Sequence, residues 1–163
     1  MPADAGRRPV LAGVGRCSDS VDPVEIMLGA AKAAASDAGA PSLLAAVDVI
    51  AMPRGTWTAT NPAGVLARRI GAPDARTVIA DVGVPQQTLI SNALNEIRSG
   101  RIDVALIVGG EARAWSAAQR RAGAEPVELD HDQPAHEILT PSQVIVSRAE
   151  IAARFWEPVQ QYA

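Results

Sequence analysis

Aromatic residues are few: three tryptophans, one tyrosine and one phenylalanine in 163 residues. A core so short of rings must rest on Val, Ile, Leu and Ala, which suits close packing of helices on a sheet. Cysteine is rarer still. Cys17 stands alone, which excludes an internal disulfide and any metal site built from several cysteines. No apolar run approaches a membrane span, and the first twenty residues hold none long enough for a signal peptide. A soluble, cytoplasmic protein with no membrane partner is expected. Positive charge is not in excess either. The net charge is −3, and the pairs Arg7-Arg8, Arg68-Arg69 and Arg120-Arg121 are short and scattered. They read as solvated surface, and nucleic acid is not an expected partner.

What is present is an ordinary globular balance, 48% hydrophobic and 20% charged, in a length that suits one domain with a real core. Residues 1–7 are small and polar and read as a loose tail; residues 8–163 form the domain. Pro9 to Val14 reads as a short buried strand closed by Gly13 and Gly15. Asp22-Pro23-Val24-Glu25 is a helix start: Asp22 can cap free N–H groups, Pro23 suits the first position and Glu25 can reach back. Val24, Met27, Leu28 and Ala31 then recur at helical spacing, and Gly39 supplies the stop.

The pattern repeats. Val47–Met52 reads as a strand, and Asn61-Pro62 opens the next helix. Thr77–Val82 is a further strand, followed from Pro85 by a helix with Ile90, Ala93, Leu94 and Ile97 on one face, ended by Gly100. Asp103–Val108 is nearly unbroken apolar strand, buried on both faces if the sheet is parallel. Gly109-Gly110 turns the chain into a helix that runs to about Arg121. Four alternations of strand and helix predict an α/β fold with a mostly parallel sheet flanked by helices. Residues 122–140 read as a long acidic excursion. Ser142–Ala163 reads as apolar and helical with a break at Pro158, and its end carries no stop signal, so truncation at the C-terminus is expected.

Several motif readings fail on their own residues. Gly13-Val14-Gly15 follows a predicted strand as a dinucleotide loop would, but the third glycine position holds Ser18 and no acidic residue ends the next strand. Asp130, His131 and Asp132 are adjacent in a loop and cannot all converge on one metal ion. Gly109-Gly110-Glu111 reads as a backbone turn with a structural glutamate rather than a phosphate cradle. Cys17 in its Gly-Arg-Cys-Ser-Asp loop reads as an inert or merely exposed thiol, and Arg16 could lower its pKa only slightly.

The stretch from Ile97 to Glu111, where a helix ends in Ser99-Gly100, Asp103 leads an apolar strand and the strand ends in Gly109-Gly110-Glu111, resembles a thiolase-superfamily signature. Arg54-Gly55-Thr56-Trp57 through Asn61-Pro62, Leu66 to Ala72, and Glu157 to Tyr162 resemble the acetyl-CoA acetyltransferase-like members of that superfamily. The resemblance covers roughly residues 8–163. It implies the N-terminal half of a fold made of two similar halves, with a CoA thioester as substrate and no covalently bound cofactor. The family's His-containing and second Cys-containing catalytic loops lie in the other half and have no counterpart here. The family's nucleophilic cysteine belongs at a strand-to-helix junction, where free N–H groups and the helix dipole stabilise a thiolate and an oxyanion.

The matching junction is Val82 to Thr88, with the nucleophile position at about Gly83 or Val84. Neither can act as one, so no catalytic residue is assigned. Similar family members carry a Gly-Gly-Asn-Thr-Pro-Gln type junction without cysteine, which Gly83 and Gln87 echo with the proline one place earlier. The implied substrate-binding residues are Gly83, Val84, Gln87 and Trp57. Trp57 can line an acyl or pantetheine pocket, or it can cover the sheet edge. The resemblance thus implies an acyl-CoA acyltransferase domain without its nucleophile, acting as a homo-oligomer or with a missing C-terminal half. The alternatives are a non-catalytic or lyase-type subunit that works only with a partner chain, and a stand-alone interaction module.

Overall fold

In a computed structural model that describes residues 7–19, 22–142 and 148–153, helix α1 spans Pro23–Asp37. Asp22 caps it, accepting from the Val24 N–H at 2.7 Å. Gly39, at φ 65°, ends it. The Gly39 N–H returns to Ser36 and the Ala40 N–H to Ala35, which satisfies the last carbonyls. A 3-10 helix, Pro41–Ala46, leads into β1, Val49–Pro53. Helix α2, Pro62–Ile70, starts as expected at Asn61, whose side-chain oxygen accepts from the Gly64 N–H at 3.0 Å. Strand β2 follows as Arg76–Ala80, helix α3 as Gln86–Arg98, strand β3 as Ala105–Ile107 and helix α4 as Arg113–Arg121. Strand β4, Glu137–Leu139, and the short α5, Arg148–Ala152, complete the described elements.

All four strands are parallel, in the order β3-β1-β2-β4. The fold is α/β, a parallel sheet flanked by helices. Burial follows position in the sheet. Strands β1 and β2 are central and almost wholly buried, while β3 and β4 are edges and largely half-exposed or exposed. Met27, Ile50, Met52, Leu66 and Ile79, all fully buried, join α1 and α2 to one sheet face. Val49, Ala51, Val78, Ala80, Leu89 and Ile102 form a smaller cluster on the other face, under α3. Asp48 fixes the neighbour of β1: its carboxylate accepts from the Asp103 and Val104 N–H groups at 2.8 and 3.0 Å.

Three expectations are corrected. Residues 9–14 do not form a buried strand; Val10 and Leu11 are 74% and 83% exposed. The segment runs extended along α1 instead, and the glycines permit the approach. A Cβ on Gly13 would stand 2.2 Å from the Ala34 carbonyl oxygen, and one on Gly15 2.2 Å from that of Ala30. Second, β3 is an edge strand of three residues, so its apolar sequence is not buried on both faces, and Ile107 is 39% exposed. Third, the excursion of 122–140 contributes β4, paired to β2 from Val78↔Glu137 to Ala80↔Leu139. Four strands are present, but the fourth lies in the excursion rather than near the N-terminus. The apolar face expected on α3 is also only partly used: Leu89 is buried, while Ile90 and Leu94 are 40% and 36% exposed. Of the helix expected over 142–163, Arg148–Ala152 is helical, and 143–147 and 154–163 lie outside the described residues.

The glycine contacts give a direct test. In Gly15→Ala the new methyl would meet the backbone of Ala30 and Ala34 at 2.2 and 2.3 Å, and backbone cannot swing aside as a side chain can. We expect a loss of about 1–3 kcal/mol in urea unfolding, as for an overpacked contact. An unchanged midpoint would mean that the segment leaves α1 without cost.

Candidate functional site

The chain leaves β1 through Pro53 into a loop that runs to Asn61, at the carboxyl end of the strands where open α/β sheets bind ligands. Arg54 anchors its start. The Arg54 N–H donates to the Ala80 carbonyl at 2.7 Å, its Nε donates to Asp81 Oδ1 at 2.6 Å, and its guanidinium lies 5.4 Å from the Trp57 ring centroid. Trp57 itself is 5% exposed and packs in the larger core cluster.

The rest of the loop is held by carboxylates from later in the chain. Glu111 accepts from the Thr56 N–H at 2.8 Å and from the Thr56 hydroxyl. Glu128 accepts from the Thr58 and Ala59 N–H groups at 2.6 and 3.1 Å, and from the Thr58 hydroxyl at 2.9 Å. Asp130 accepts from the Thr60 and Asn61 N–H groups at 2.6 and 2.7 Å. The acidic excursion therefore serves as a clamp and not as a merely solvated loop. Glu128 and Asp130 are two residues apart, so an extended backbone sends both to one side.

Two open clefts border this loop. One, of about 490 Å3, lies between the ends of β1 and β3 and the start of α3, with Pro53, Leu89, Ile90, Ile107 and Val108 as its apolar wall and Arg54, Gln86 and Glu111 as its polar one. The other, of about 470 Å3, lies between the loop and α4 and is lined by Thr56, Trp57, Thr58 and residues of α4. Glu111 borders both. The Gly109-Gly110 pair that precedes it allows tight packing: a Cβ on Gly109 would touch Pro53 at 3.0 Å, and one on Gly110 would touch Met27 at 2.9 Å.

Of the residues singled out in the sequence, Trp57 lines the second cleft. Gly83, at φ 98°, forms the turn between β2 and α3, closed by a hydrogen bond from the Val84 N–H to the Asp81 carbonyl at 3.0 Å. Val84 is half-buried and packs against the smaller core cluster. Gln87 is exposed, and its Nε2 donates to Ser91 Oγ at 3.4 Å. These three border neither cleft; the first turn of α3 presents Gln86 there instead. Pro85 occupies the position before the helix rather than its first residue. Cys17 also lies away from both clefts, packed on Gly29 of α1 with its thiol donating to Asp19 at 3.3 Å.

The two histidines serve packing contacts. The His131 ring lies against Gly64, where a Cβ would meet it at 2.8 Å, and His136 Nδ1 accepts from the Thr77 N–H at 3.1 Å. Among the described residues, no group of three or more His, Cys, Asp or Glu side chains could hold a metal ion. Arg54, Gln86 and Glu111 were not legible as site residues. Arg54 and Glu111 fall within stretches that carry the thiolase resemblance, but neither stretch shows which side chain faces a cavity.

The Asp130 carboxyl is perturbed. Burial raises its pKa, but hydrogen bonds from the Thr60, Asn61 and His131 N–H groups outweigh that and hold it below the usual 3.8. A depressed carboxyl stabilises the fold in its ionised form. That contribution is fully present above pH 3.8 and is lost as pH falls through the lower native value. Hydrogen exchange at the Thr60 and Asn61 amides should then be slow above pH 3.8, once corrected for intrinsic rates, and lose its protection only in stronger acid. Protection that fades already on approach to that pH from above would show that Asp130 is not the clamp.

No family model matches the chain, and no curated protein does. Among solved structures, it is similar to a monomeric SCP2-thiolase-like protein of type 1 from Mycobacterium smegmatis, with 32% identity and a TM-score of 0.53. The match covers 66% of this chain and 24% of that protein. The α/β fold is thus thiolase-like, and the chain spans about a quarter of the length of the structure it matches. Among the described residues, no helix is long and apolar enough to cross a membrane.

Proposed function

We propose that the chain is a thiolase-like domain that binds acyl-CoA thioesters in the cleft at the carboxyl ends of β1 and β3, without a nucleophile of its own. The observation that carries this reading is a cleft of about 490 Å3 with one apolar wall and one polar wall, at the strand ends of a thiolase-like fold. Pro53, Leu89, Ile90 and Ile107 suit an acyl chain; Arg54 and Gln86 suit a carbonyl or an amide. The β2–α3 turn, Asp81 to Pro85, has no Cys, Ser, Thr or His. Acyl transfer by this chain would therefore require a nucleophile from elsewhere, either a second half or a partner chain. The absence of a nucleophile at that turn favours the partner-dependent, lyase-type alternative over acyl transfer by this chain alone. Substrate binding by Gly83, Val84 and Gln87 would require the β2–α3 turn to move toward the cleft.

Calorimetric titration with acetyl-CoA and with a longer acyl-CoA tests the reading. Saturable binding that strengthens with chain length, and that Ile90→Asp weakens, is the expected result. Binding of neither thioester would overturn it. Incubation with radiolabelled acetyl-CoA should leave no label on the chain after denaturation. A stable adduct would show a nucleophile the geometry does not provide.

A further inference from the structure

The cleft between the ends of β1 and β3 carries two charged side chains, Arg54 and Glu111, and only one of them is paired. Arg54 Nε donates to Asp81 Oδ1 at 2.6 Å, and Asp81 lies outside the cleft lining. Glu111 forms no ion pair among the described residues. Its carboxylate is nevertheless fixed. Oε1 accepts from the Thr56 N–H at 2.8 Å, and Oε2 accepts from the Thr56 hydroxyl. Its backbone is fixed as well, because Gly109 and Gly110 before it pack so closely on Pro53 and Met27 that a Cβ would stand 3.0 and 2.9 Å from them. Oε1 also lies 2.9 Å from where a Cβ on Gly55 would stand, and Gly55 lines the cleft. The negative charge is therefore held at the cleft wall.

Neutral donors such as the Thr56 N–H and hydroxyl orient a carboxylate but bring no net positive charge. Gln86 and the apolar wall bring none either, and the Arg54–Asp81 pair sums to zero. We propose that Glu111 makes this cleft selective for acyl groups without negative charge, so that it takes monocarboxylic acyl chains and rejects dicarboxylic ones. The inference rests on the acyl-CoA reading above and adds the class of acyl group. A second carboxylate that enters the cleft meets a fixed like charge, and the nearby cation is already offset by Asp81. Glu111 is exposed, so the repulsion is screened by salt. The CoA portion is common to every thioester, so its own phosphates do not enter the comparison.

The test is titration of the chain with octanoyl-CoA and with suberoyl-CoA, which adds a terminal carboxylate to an acyl chain of the same length. Octanoyl-CoA should bind about tenfold more tightly at low ionic strength, and the gap should close in about 1 M salt, where the screening length falls to about 3 Å. Glu111→Gln should strengthen suberoyl-CoA binding and bring the two affinities within about twofold. A glutamine oxygen can still accept from the Thr56 N–H, so the loop keeps that anchor. Glu111→Asp, which retains the charge, should retain the gap. Equal binding of both thioesters by the parent chain would overturn the proposal and leave the acyl-CoA reading standing. Binding of neither would overturn both. A gap that survives Glu111→Gln would assign the selectivity to another group and overturn the role of Glu111.

Discussion

Truncating Trp57 to alanine should cost about 3–5 kcal/mol of stability, the range for removing a buried aromatic side chain. Trp57 is one of few rings in the chain and sits in the larger core cluster beside Ala59 and Ala63, which cannot refill its volume. The same change removes a wall of the second cleft and the ring on which Arg54 rests. Trp57→Phe separates packing from polarity. It leaves a smaller gap but removes an indole N–H that is buried without an acceptor among the described residues, a group whose isolation costs about 1–3 kcal/mol. The two effects oppose one another, so the phenylalanine variant should lie within about 1.5 kcal/mol of the parent. Urea unfolding of both variants decides. A phenylalanine variant as unstable as the alanine variant would show that the indole N–H has a partner in solution.

Asp22→Ala should be nearly as damaging, although the residue reads in sequence as a simple helix cap. Its two carboxylate oxygens serve separate parts of the chain. Oδ1 accepts from the Val24 N–H at the start of α1, and Oδ2 accepts from the Leu129 N–H at 2.9 Å. Asp22 is 8% exposed, so water cannot readily replace it. Loss of the cap costs about 0.5–2 kcal/mol. The orphaned Leu129 N–H adds about 1–3 kcal/mol. A combined loss of about 1.5–5 kcal/mol follows. The second contact matters for the clefts, because Leu129 lies between Glu128 and Asp130, the two residues that hold the 58–61 loop. Asp22→Asn should keep the cap and lose only the Leu129 contact, so it should be milder and should loosen the loop amides in hydrogen exchange. If the asparagine variant matches the parent in both respects, the bridge to the excursion carries no energy.

Local signals were legible wherever a few adjacent residues settle the structure. Asp22-Pro23 and Asn61-Pro62 mark helix starts, and both asparagine and aspartate side chains cap as their chemistry requires. Gly39 and Gly100, read as helix stops, end their helices at positive φ, a conformation that costs a Cβ-bearing residue energy. The apolar runs at 47–52 and 77–82 place the two central strands within one or two residues of their observed bounds. The run at 9–14 looked much the same and forms no strand. A strand needs a hydrogen-bonded neighbour, and this segment lies against the backbone of α1 instead of pairing with a sheet edge. Glycines in that run, read as strand closure, answer instead to the alanine-rich surface of α1.

The site was less legible for a related reason. Glu111, Glu128 and Asp130 lie 55 to 70 residues from the amides they hold, and no local pattern announces such a contact. Gln86 and Gln87 are both glutamines at the start of α3, and only the helix phase decides that the first borders the cleft. The amino-acid sequence alone determined the parallel α/β class, the helix boundaries and the lack of a nucleophile at the β2–α3 turn, because propensity, capping and residue chemistry act over a few neighbours. Tertiary structure alone decided which apolar run became the fourth strand, how the acidic excursion clamps the loop, and which side chains share a cleft. Those outcomes depend on competition for sheet edges and buried hydrogen bonds between residues far apart in the chain.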